Sequence, residues 1–395
     1  MKRSLLLLAA LSVSCTKQPA QDETQTAGQR TTEASAASAA SGDDAPSTEP
    51  ADSGDPHLIV FADRTSQAYL LLLPPGEHHK PTREALQTLV KSKLATASDE
   101  PELALLLELI ATEPTPVAAG PGDGSPRATR DLLGINIDVL PVGGSKGAVG
   151  SASLADPILT RALTPEQRAS LTGRTQALLL RAEYRNQYAV RGLRLLQTLT
   201  RIVALEHNAL VHDPDTGETV GVETFTKRRL KSSLGNVAEQ IAVVPFIDKM
   251  NPDGVRLSTR GMRRFGSPDL ELDGLPRDPK VLQRATDLLN GLAVLMVQLG
   301  EFDSTGYAVE LGQVVEVSVD DVVRAYADGS HVPDCGEACV GEAEVHLVER
   351  AAEPHDPEDH VVARVIAPRE LSDSVDHNHG EWVKGILRDI FGAGG

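Results

Sequence analysis

The chain has 395 residues, of which 38 are Lys or Arg and 56 are Asp or Glu, so its formal net charge at pH 7 is −18. This balance excludes proteins that bind nucleic acid mainly through the phosphate backbone, because those need a positive surface that releases counterions. Hydrophobic residues make up 41% of the chain, enough to build folded cores, while an aromatic content of 3% argues against stacking on bases or sugar rings as the main activity.

The chain opens with the features of an export signal. Lys2 and Arg3 give a positive start, and an apolar run over residues 5–13 follows. That run is shorter than the roughly 20 apolar residues that a helix needs to span a bilayer. We therefore predict a cleaved signal peptide over residues 1–14, just before Cys15, rather than a membrane-spanning anchor.

The opening segment MKRSLLLLAALSVSC resembles the signal of bacterial lipoproteins, in which a cysteine thiol is diacylated and the chain is cut just before it. The resemblance implies that Cys15 carries the lipid. It also implies sorting to the outer membrane, because Thr16 stands where Asp would retain the protein at the inner membrane. The lipoprotein pattern prefers Leu where this chain has Ser12. Residues 12–14 also satisfy the small-x-small rule of the ordinary signal peptidase, so plain secretion after cleavage at the same bond is the alternative.

Residues 15–55 are rich in Ala, Ser, Thr, Gln, Pro and acidic side chains and show no aliphatic periodicity. Such a segment cannot bury enough apolar surface to offset the entropy of ordering it. We predict a disordered tether that holds the folded part away from the membrane.

Hydrophobic periodicity beyond the tether predicts an α+β fold of mostly antiparallel sheets packed with helices. We expect a first lobe at 56–150, a second lobe at 151–300 and a C-terminal α+β extension at 301–395. Thr164 and Gln167 predict a helix start, since Pro165 follows Thr164 and a capping box fits this spacing. The main predicted strands are 57–61, 68–73, 133–140, 175–184, 238–246, 255–265, 269–272, 307–310, 314–319, 344–348 and 361–366, and a hairpin is predicted over 209–220. The main predicted helices are 82–94, 102–110, 189–205, 279–299, 320–326 and 382–391.

Several residues recur at a constant offset of 110 positions. Arg64-Thr65, Leu70 and the segment 86–89 correspond to Arg174-Thr175, Leu180 and the segment 196–199. Both copies predict a strand, a loop and a helix. A duplication predicts two similar lobes facing each other, with a cleft that suits a ligand; chance recurrence of the common residues Leu and Thr is the alternative.

The stretch LSTRGMRRFGSPDLE at 257–271, together with His212-Asp213-Pro214, is similar to domains of unknown function from bacterial genomes. The similarity covers only part of the chain and implies no catalytic residue.

One motif bears on hydrolase chemistry. Residues 143–147 match the Gly-x-Ser-x-Gly pattern of a nucleophile elbow, which presents a serine on a strand-to-helix turn. Here Ser145 would be the nucleophile. The residues that follow, 148–153, are typical of a loop rather than a helix, so a mobile loop is the favoured interpretation and a serine hydrolase the alternative.

The C-terminal part contains two cysteines, Cys335 and Cys339, besides Cys15. If Cys15 is acylated, the two remaining thiols lie in an oxidising compartment, where pairing is expected, and we predict a disulfide between them. Six of the eleven histidines lie in the same part of the chain. A zinc site that combines both cysteines with His331 and His346 is the alternative.

A second histidine cluster, Asp376, His377 and His379, precedes the last predicted helix. Imidazoles two residues apart share a face of an extended segment, and transition metals accept such ligands. These residues are candidate metal ligands, and an exposed polar turn is the alternative.

No cofactor-binding fingerprint is present in the sequence, so no cofactor is predicted. The preferred interpretation is a cell-envelope lipoprotein that acts as a non-enzymatic binding or adaptor module. Its expected partners are the membrane, through the N-terminal lipid, and an envelope protein, with no nucleic acid. A metal-binding protein that uses the C-terminal histidines and a serine hydrolase that uses Ser145 are the alternatives.

Overall fold

The computed structural model describes residues 64–94, 100–114, 132–143, 147–185, 189–230, 236–247, 253–302, 314–326, 341–351, 361–368 and 378–392, and the single positions 331, 333, 353 and 356. The predicted signal peptide, the tether and the strands at 57–61 and 307–310 lie outside these residues. The predicted fold class is confirmed: helices pack with two mostly antiparallel sheets. Within the described residues, none of the helices combines the length and apolar character needed to cross a membrane.

The described helices follow the predicted periodicity closely. They are α1 (Arg83–Lys93), α2 (Glu100–Ala111), α3 (Ser151–Ala155), α4 (Pro165–Ser170), α5 (Ala189–Glu206), α6 (Val222–Phe225), α7 (Pro279–Phe302), α8 (Val319–Ala325) and α9 (His379–Phe391). The capping box predicted at the start of α4 is confirmed, because the Thr164 hydroxyl accepts from the Gln167 backbone N–H and the Gln167 side chain accepts from the Thr164 backbone N–H.

The first sheet has five strands in the order β2-β3-β1-β4-β5. Their bounds are β1 (Arg64–Leu72), β2 (Leu132–Pro141), β3 (Gln176–Arg185), β4 (Leu210–His212) and β5 (Thr219–Val220). All neighbours are antiparallel, and Leu70 of β1 lies opposite Leu179 of β3. The predicted hairpin at 209–220 is confirmed as β4 and β5.

Both faces of the first sheet are apolar around β1. Tyr69 and Leu71 are fully buried in the main core, which also contains residues of α1, α2 and α5. Leu70 and Leu72 point to the opposite face and pack in a separate apolar cluster with Leu163, among others. The run of four leucines at 70–73 is therefore buried on two sides, as its continuous apolar character predicts.

The second sheet has six strands in the order β6-β7-β8-β11-β10-β9. Their bounds are β6 (Ala242–Ile247), β7 (Val255–Arg260), β8 (Asp269–Leu275), β9 (Val315–Ser318), β10 (Glu342–Arg350) and β11 (Val362–Ile366). β8 and β11 are parallel, and the other described pairs are antiparallel. One face, with Leu257, Leu272 and Val365, packs into the main core beside α7.

The predicted strand at 255–265 ends early. Gly261 has a φ of 105°, a left-handed conformation that interrupts the strand, and residues 262–265 form a 3₁₀ turn. This turn touches the first sheet: the Tyr184 hydroxyl donates to the Arg264 carbonyl at 2.8 Å, and the Thr65 hydroxyl donates to the Arg263 carbonyl at 3.0 Å. The two sheets therefore share one core within a single compact unit.

Both expected boundaries between the folded units fall inside a sheet. β1 and β2 precede residue 150 yet pair with strands that follow it, and β9–β11 follow residue 300 yet complete the sheet begun by β6–β8. The two recurring segments do form strand, loop and helix, as β1–α1 and β3–α5. Their strands lie side by side and antiparallel in one sheet, because hydrogen bonding joins them along their whole length, so these segments do not form two facing lobes.

Candidate functional site

The face of the second sheet opposite its apolar side is lined with charged residues. Successive side chains of a strand point to opposite faces of the sheet. This side therefore receives Arg256 and Arg260 from β7, and Asp269, Glu271 and Asp273 from β8. We call it the charged face, and it consists of these five residues together with Arg350, Glu353, Asp356 and Arg364. It thus combines four arginines with five carboxylates.

Glu271 lies at the centre of the charged face. Its side chain is 1% exposed, and its carboxylate accepts hydrogen bonds from Arg256 at 3.2 Å and from Arg350 at 2.8 and 3.0 Å. Arg364 adds a third cation at 3.6 Å. Three guanidinium groups therefore surround this buried carboxylate, and hydrogen bonds between such charged groups are short and strong.

The loop after β10 covers part of this face with two more carboxylates. Asp356 accepts from Arg350 at 2.6 Å, and Glu353 accepts from Arg256 at 2.6 Å. Burial raises the pKa of Asp356, but the bonds from Arg350 and from the Glu353 backbone N–H outweigh it and hold that pKa at about 2. The guanidinium groups of Arg256 and Arg260 also lie over the Phe246 ring, at 5.3 and 5.2 Å from its centre.

His379, one of the three predicted metal ligands, lies at the edge of the charged face at the start of α9. Its Nε2 lies 2.7 Å from a carboxylate oxygen of Asp273, whose other oxygen lies 3.5 Å from Arg364. Burial raises the pKa of Asp273, but the contacts with His379 and Arg364 lower it overall. The other two predicted ligands, Asp376 and His377, lie outside the described residues.

The 3₁₀ turn between β7 and β8 carries a fully buried arginine. Arg264 donates to both oxygens of Asp213 at 3.0 Å and to Asp215 at 3.3 Å. Asp213 and Asp215 belong to the hairpin of the first sheet, so this ion pair joins the two sheets. Burial raises the pKa of Asp213, but Arg264 and Arg229 lower it overall.

A hydrogen-bond chain extends from this ion pair into the core under the first sheet. Arg229 donates to Asp213 at 3.2 Å and to Gln240 at 3.3 Å. Gln197 of α5 donates to Gln240 at 2.8 Å and to the Tyr69 hydroxyl at 2.9 Å. These buried polar groups therefore satisfy one another, as a stable interior requires.

A third polar cluster lies on α7, where Asp287 is almost fully buried. Its carboxylate accepts from the Tyr326 hydroxyl at 2.9 Å and lies 3.2 Å from Nε2 of His331. Asn290 donates to the same hydroxyl at 2.6 Å. Burial and the Asp287 charge raise the pKa of Tyr326. The His331 side chain is 34% exposed, so this cluster links a buried carboxylate to an imidazole that solvent reaches.

Several predicted site residues lie outside the described residues: Cys15, Ser145, Cys335 and Cys339. Two backbone hydrogen bonds, Gly143 to Val149 and Ala148 to residue 141, close the loop that contains the Gly-x-Ser-x-Gly motif. The residues that follow the motif, 148–153, were predicted to form a loop. That prediction is wrong for the last of them, because Ser151–Ala155 forms the short helix α3. His346 is buried on β10, and among the described residues no three His, Cys, Asp or Glu side chains are placed to hold a metal ion.

The charged face and the Asp287 cluster were not predicted from the sequence. The sequence does contain a signal for the charged face. Two arginines four residues apart on β7 share one face of that strand, and acidic residues stand at the alternate positions 269, 271 and 273 of β8. The sequence offers no comparable signal for Asp287, which lies 44 residues before His331.

No family model, curated protein or solved structure matches this chain. Two carboxylates of the charged face, Asp273 and Asp356, have lowered pKa values and are poor proton acceptors near neutral pH. The His331 imidazole, in contrast, is oriented by a buried carboxylate while part of its surface meets solvent.

Proposed function

We propose that the protein is an exported, lipid-anchored component of the cell envelope whose folded part binds a partner and catalyses no reaction. The observation that carries this proposal is the N-terminal segment, in which a positive start and a short apolar run lead directly to Cys15. Acylation of Cys15 would anchor the chain, because each buried CH₂ group contributes roughly 0.8 kcal/mol to membrane binding.

The paired charges of the second sheet support binding rather than catalysis. A general base needs a pKa near the working pH, whereas the pKa of Asp356 is held at about 2 and that of Asp273 is lowered. Glu271 is held by several arginines at once, and such shared contacts between buried charges fix the side chains in place. A rigid sheet suits the presentation of a fixed surface to a partner.

Lipidation is tested by growth of the native host with an alkyne-labelled fatty acid. We expect the label on the wild-type protein and on the Cys335→Ala variant, and its loss from the Cys15→Ala variant. Equal labelling of wild-type and Cys15→Ala protein, or no labelling of either, would contradict the lipid anchor.

The absence of hydrolase activity is tested with a fluorophosphonate probe on the purified chain. We expect no covalent labelling of the wild-type protein under conditions that label a known serine hydrolase. Labelling that disappears in Ser145→Ala and persists in Ser151→Ala would establish the hydrolase alternative instead.

Metal binding by the C-terminal histidines is a second candidate function, favoured by a specific observation. Histidines that bind metals usually donate their second ring nitrogen to a carboxylate, and both His331 and His379 have such a partner, Asp287 and Asp273. Calorimetric titration of the untagged protein with Zn²⁺ tests it. If the histidines bind zinc, Asp287→Asn should lower the affinity for Zn²⁺ roughly 10–100-fold. If His331→Ala and His379→Ala both keep the wild-type affinity, the histidines do not bind the metal.

A further inference from the structure

The outer side of α5 carries a row of arginines. Arg191, Arg194 and Arg201 recur at helical spacing, together with Leu205, while the opposite side of the helix lies in the main core. We call these four residues the α5 stripe. Arg191 and Arg194 are exposed, Arg201 is partly exposed, and the Leu205 side chain is 50% exposed near the helix end. In a chain of net charge −18, this is a local concentration of positive charge.

Two arginines of the α5 stripe, Arg194 and Arg201, differ from those of the charged face in their described surroundings. Within the described part of the chain, neither Arg194 nor Arg201 has a carboxylate at ion-pair distance, whereas Glu271 alone contacts three arginines. The acidic residue of α5, Glu206, is bound to Lys93 at 2.9 Å. The two arginines are therefore available to an anion outside the fold.

The place where the chain enters the fold lies next to the α5 stripe. Arg64, the first described residue, pairs with Arg185 at the end of β3, and α5 begins at Ala189. The linker from Cys15 therefore joins the folded part close to the start of α5. The described part of the chain therefore begins beside the N-terminal end of the helix that carries the α5 stripe.

We infer that the α5 stripe binds the anionic phospholipid headgroups of the membrane that holds the lipid anchor. This inference rests on the proposed lipid anchor. Arginines bind lipid phosphates through bidentate hydrogen bonds, and Leu205 supplies an apolar side chain that enters the headgroup region. Acidic groups elsewhere on the protein are screened within roughly 8–10 Å, so the local charge decides the contact. The anchor supplies the effective concentration that a weak contact needs.

The experiment uses the mature chain from residue 15 with Cys15→Ala, so that no acyl group contributes. Sedimentation with phosphatidylcholine vesicles is compared with sedimentation with vesicles that also contain phosphatidylglycerol. We expect binding only to the anionic vesicles, and loss of binding in high salt. Arg194→Gln with Arg201→Gln should weaken binding about 25-fold, at roughly fivefold for each arginine. Removing two cations elsewhere, with Lys280→Gln and Arg388→Gln, should change it by less than roughly twofold.

Three results would overturn the inference: equal binding to both kinds of vesicle, no binding to the anionic vesicles, or equal loss in the two double variants. Binding to polyglutamate but not to anionic vesicles would overturn it in favour of an acidic protein partner. Unchanged thermal unfolding of both variants verifies that they fold. Fatty-acid labelling of Cys15 is measured separately. If the protein is labelled but does not bind anionic vesicles, the inference about the α5 stripe is wrong and the proposed lipid anchor is unaffected.

Discussion

The two sheets bury their second face by different chemistry. In the first sheet, Leu70 and Leu72 pack against an apolar cluster, so both faces exclude water through hydrophobic contact. In the second sheet, the corresponding face carries Arg256, Glu271 and Arg350, which are nearly as buried and are held by ion pairs. The first arrangement tolerates imperfect geometry, whereas the second depends on each charge keeping its partner.

This difference shows that alternation of apolar and charged residues does not by itself predict solvent exposure. Leu257 and Leu272 alternate with charged neighbours, a pattern typical of a half-exposed strand. Here arginines of one strand meet carboxylates of the next, and Glu271 is 1% exposed. Because the two sheets bury their second faces through different interactions, substitutions in them should affect the stability of the fold differently.

The largest effect is expected from Glu271→Ala. Removing this carboxylate leaves Arg256 and Arg350 buried without their central partner, which should lower the free energy of unfolding by about 3–5 kcal/mol. Urea unfolding measures the change, and Glu349→Ala, at an exposed site of β10, is the control, with an expected change within about 0.5 kcal/mol. Equal small changes in both variants would show that the charged face contributes no stability.

Leu71→Ala tests the apolar side of the comparison. Leu71 is fully buried between β1 and the helices, so its truncation should cost about 3 kcal/mol through lost contacts and a cavity. The loss should be the same in low and high salt, as followed by urea unfolding at both. A cost that changes with salt would contradict a purely apolar origin.

An effect of intermediate size is expected from the buried His212 of the first sheet. Burial lowers its pKa from 6.5 to about 4, although Asp213 acts in the opposite direction. Because the unfolded state binds the proton more readily, the stability that this group contributes is present above pH 6.5 and is lost as the pH falls towards 4. Between pH 7 and 5 the wild type should lose about 2 kcal/mol more than His212→Gln. Parallel stability profiles for the two proteins would refute this assignment.

The smallest effect is expected at the edge of the second sheet, where Glu316 lies directly opposite Glu344. A hydrogen bond with Glu342 and repulsion by its charge raise the pKa of Glu316. A raised carboxylate pKa favours the fold at low pH and opposes it once the group ionises. Glu316→Gln should therefore raise Tm slightly at pH 7 and lose this advantage near pH 4. Glu223→Gln, at an exposed site, should leave Tm unchanged; a lower Tm for Glu316→Gln would contradict the repulsion.

Local signals in the sequence predict much of this fold. The capping box at Thr164, the hairpin at 209–220 and most helices are confirmed because each depends on residues close together in the chain. The pairing of β1 with β3 is not local, so the boundary predicted at residue 150 falls within a sheet. The contact between Glu271 and Arg350 spans 79 residues. Charge pairs at such separation follow from strand order, which periodicity alone leaves open.

The proposed function requires that this chain leaves the cytosol and is anchored through Cys15. Intact-mass analysis of the protein extracted from the envelope of its native host tests it most directly. We expect a chain that begins at Cys15 and carries the added mass of acyl groups. A protein that keeps Met1 and carries no acyl group would contradict it.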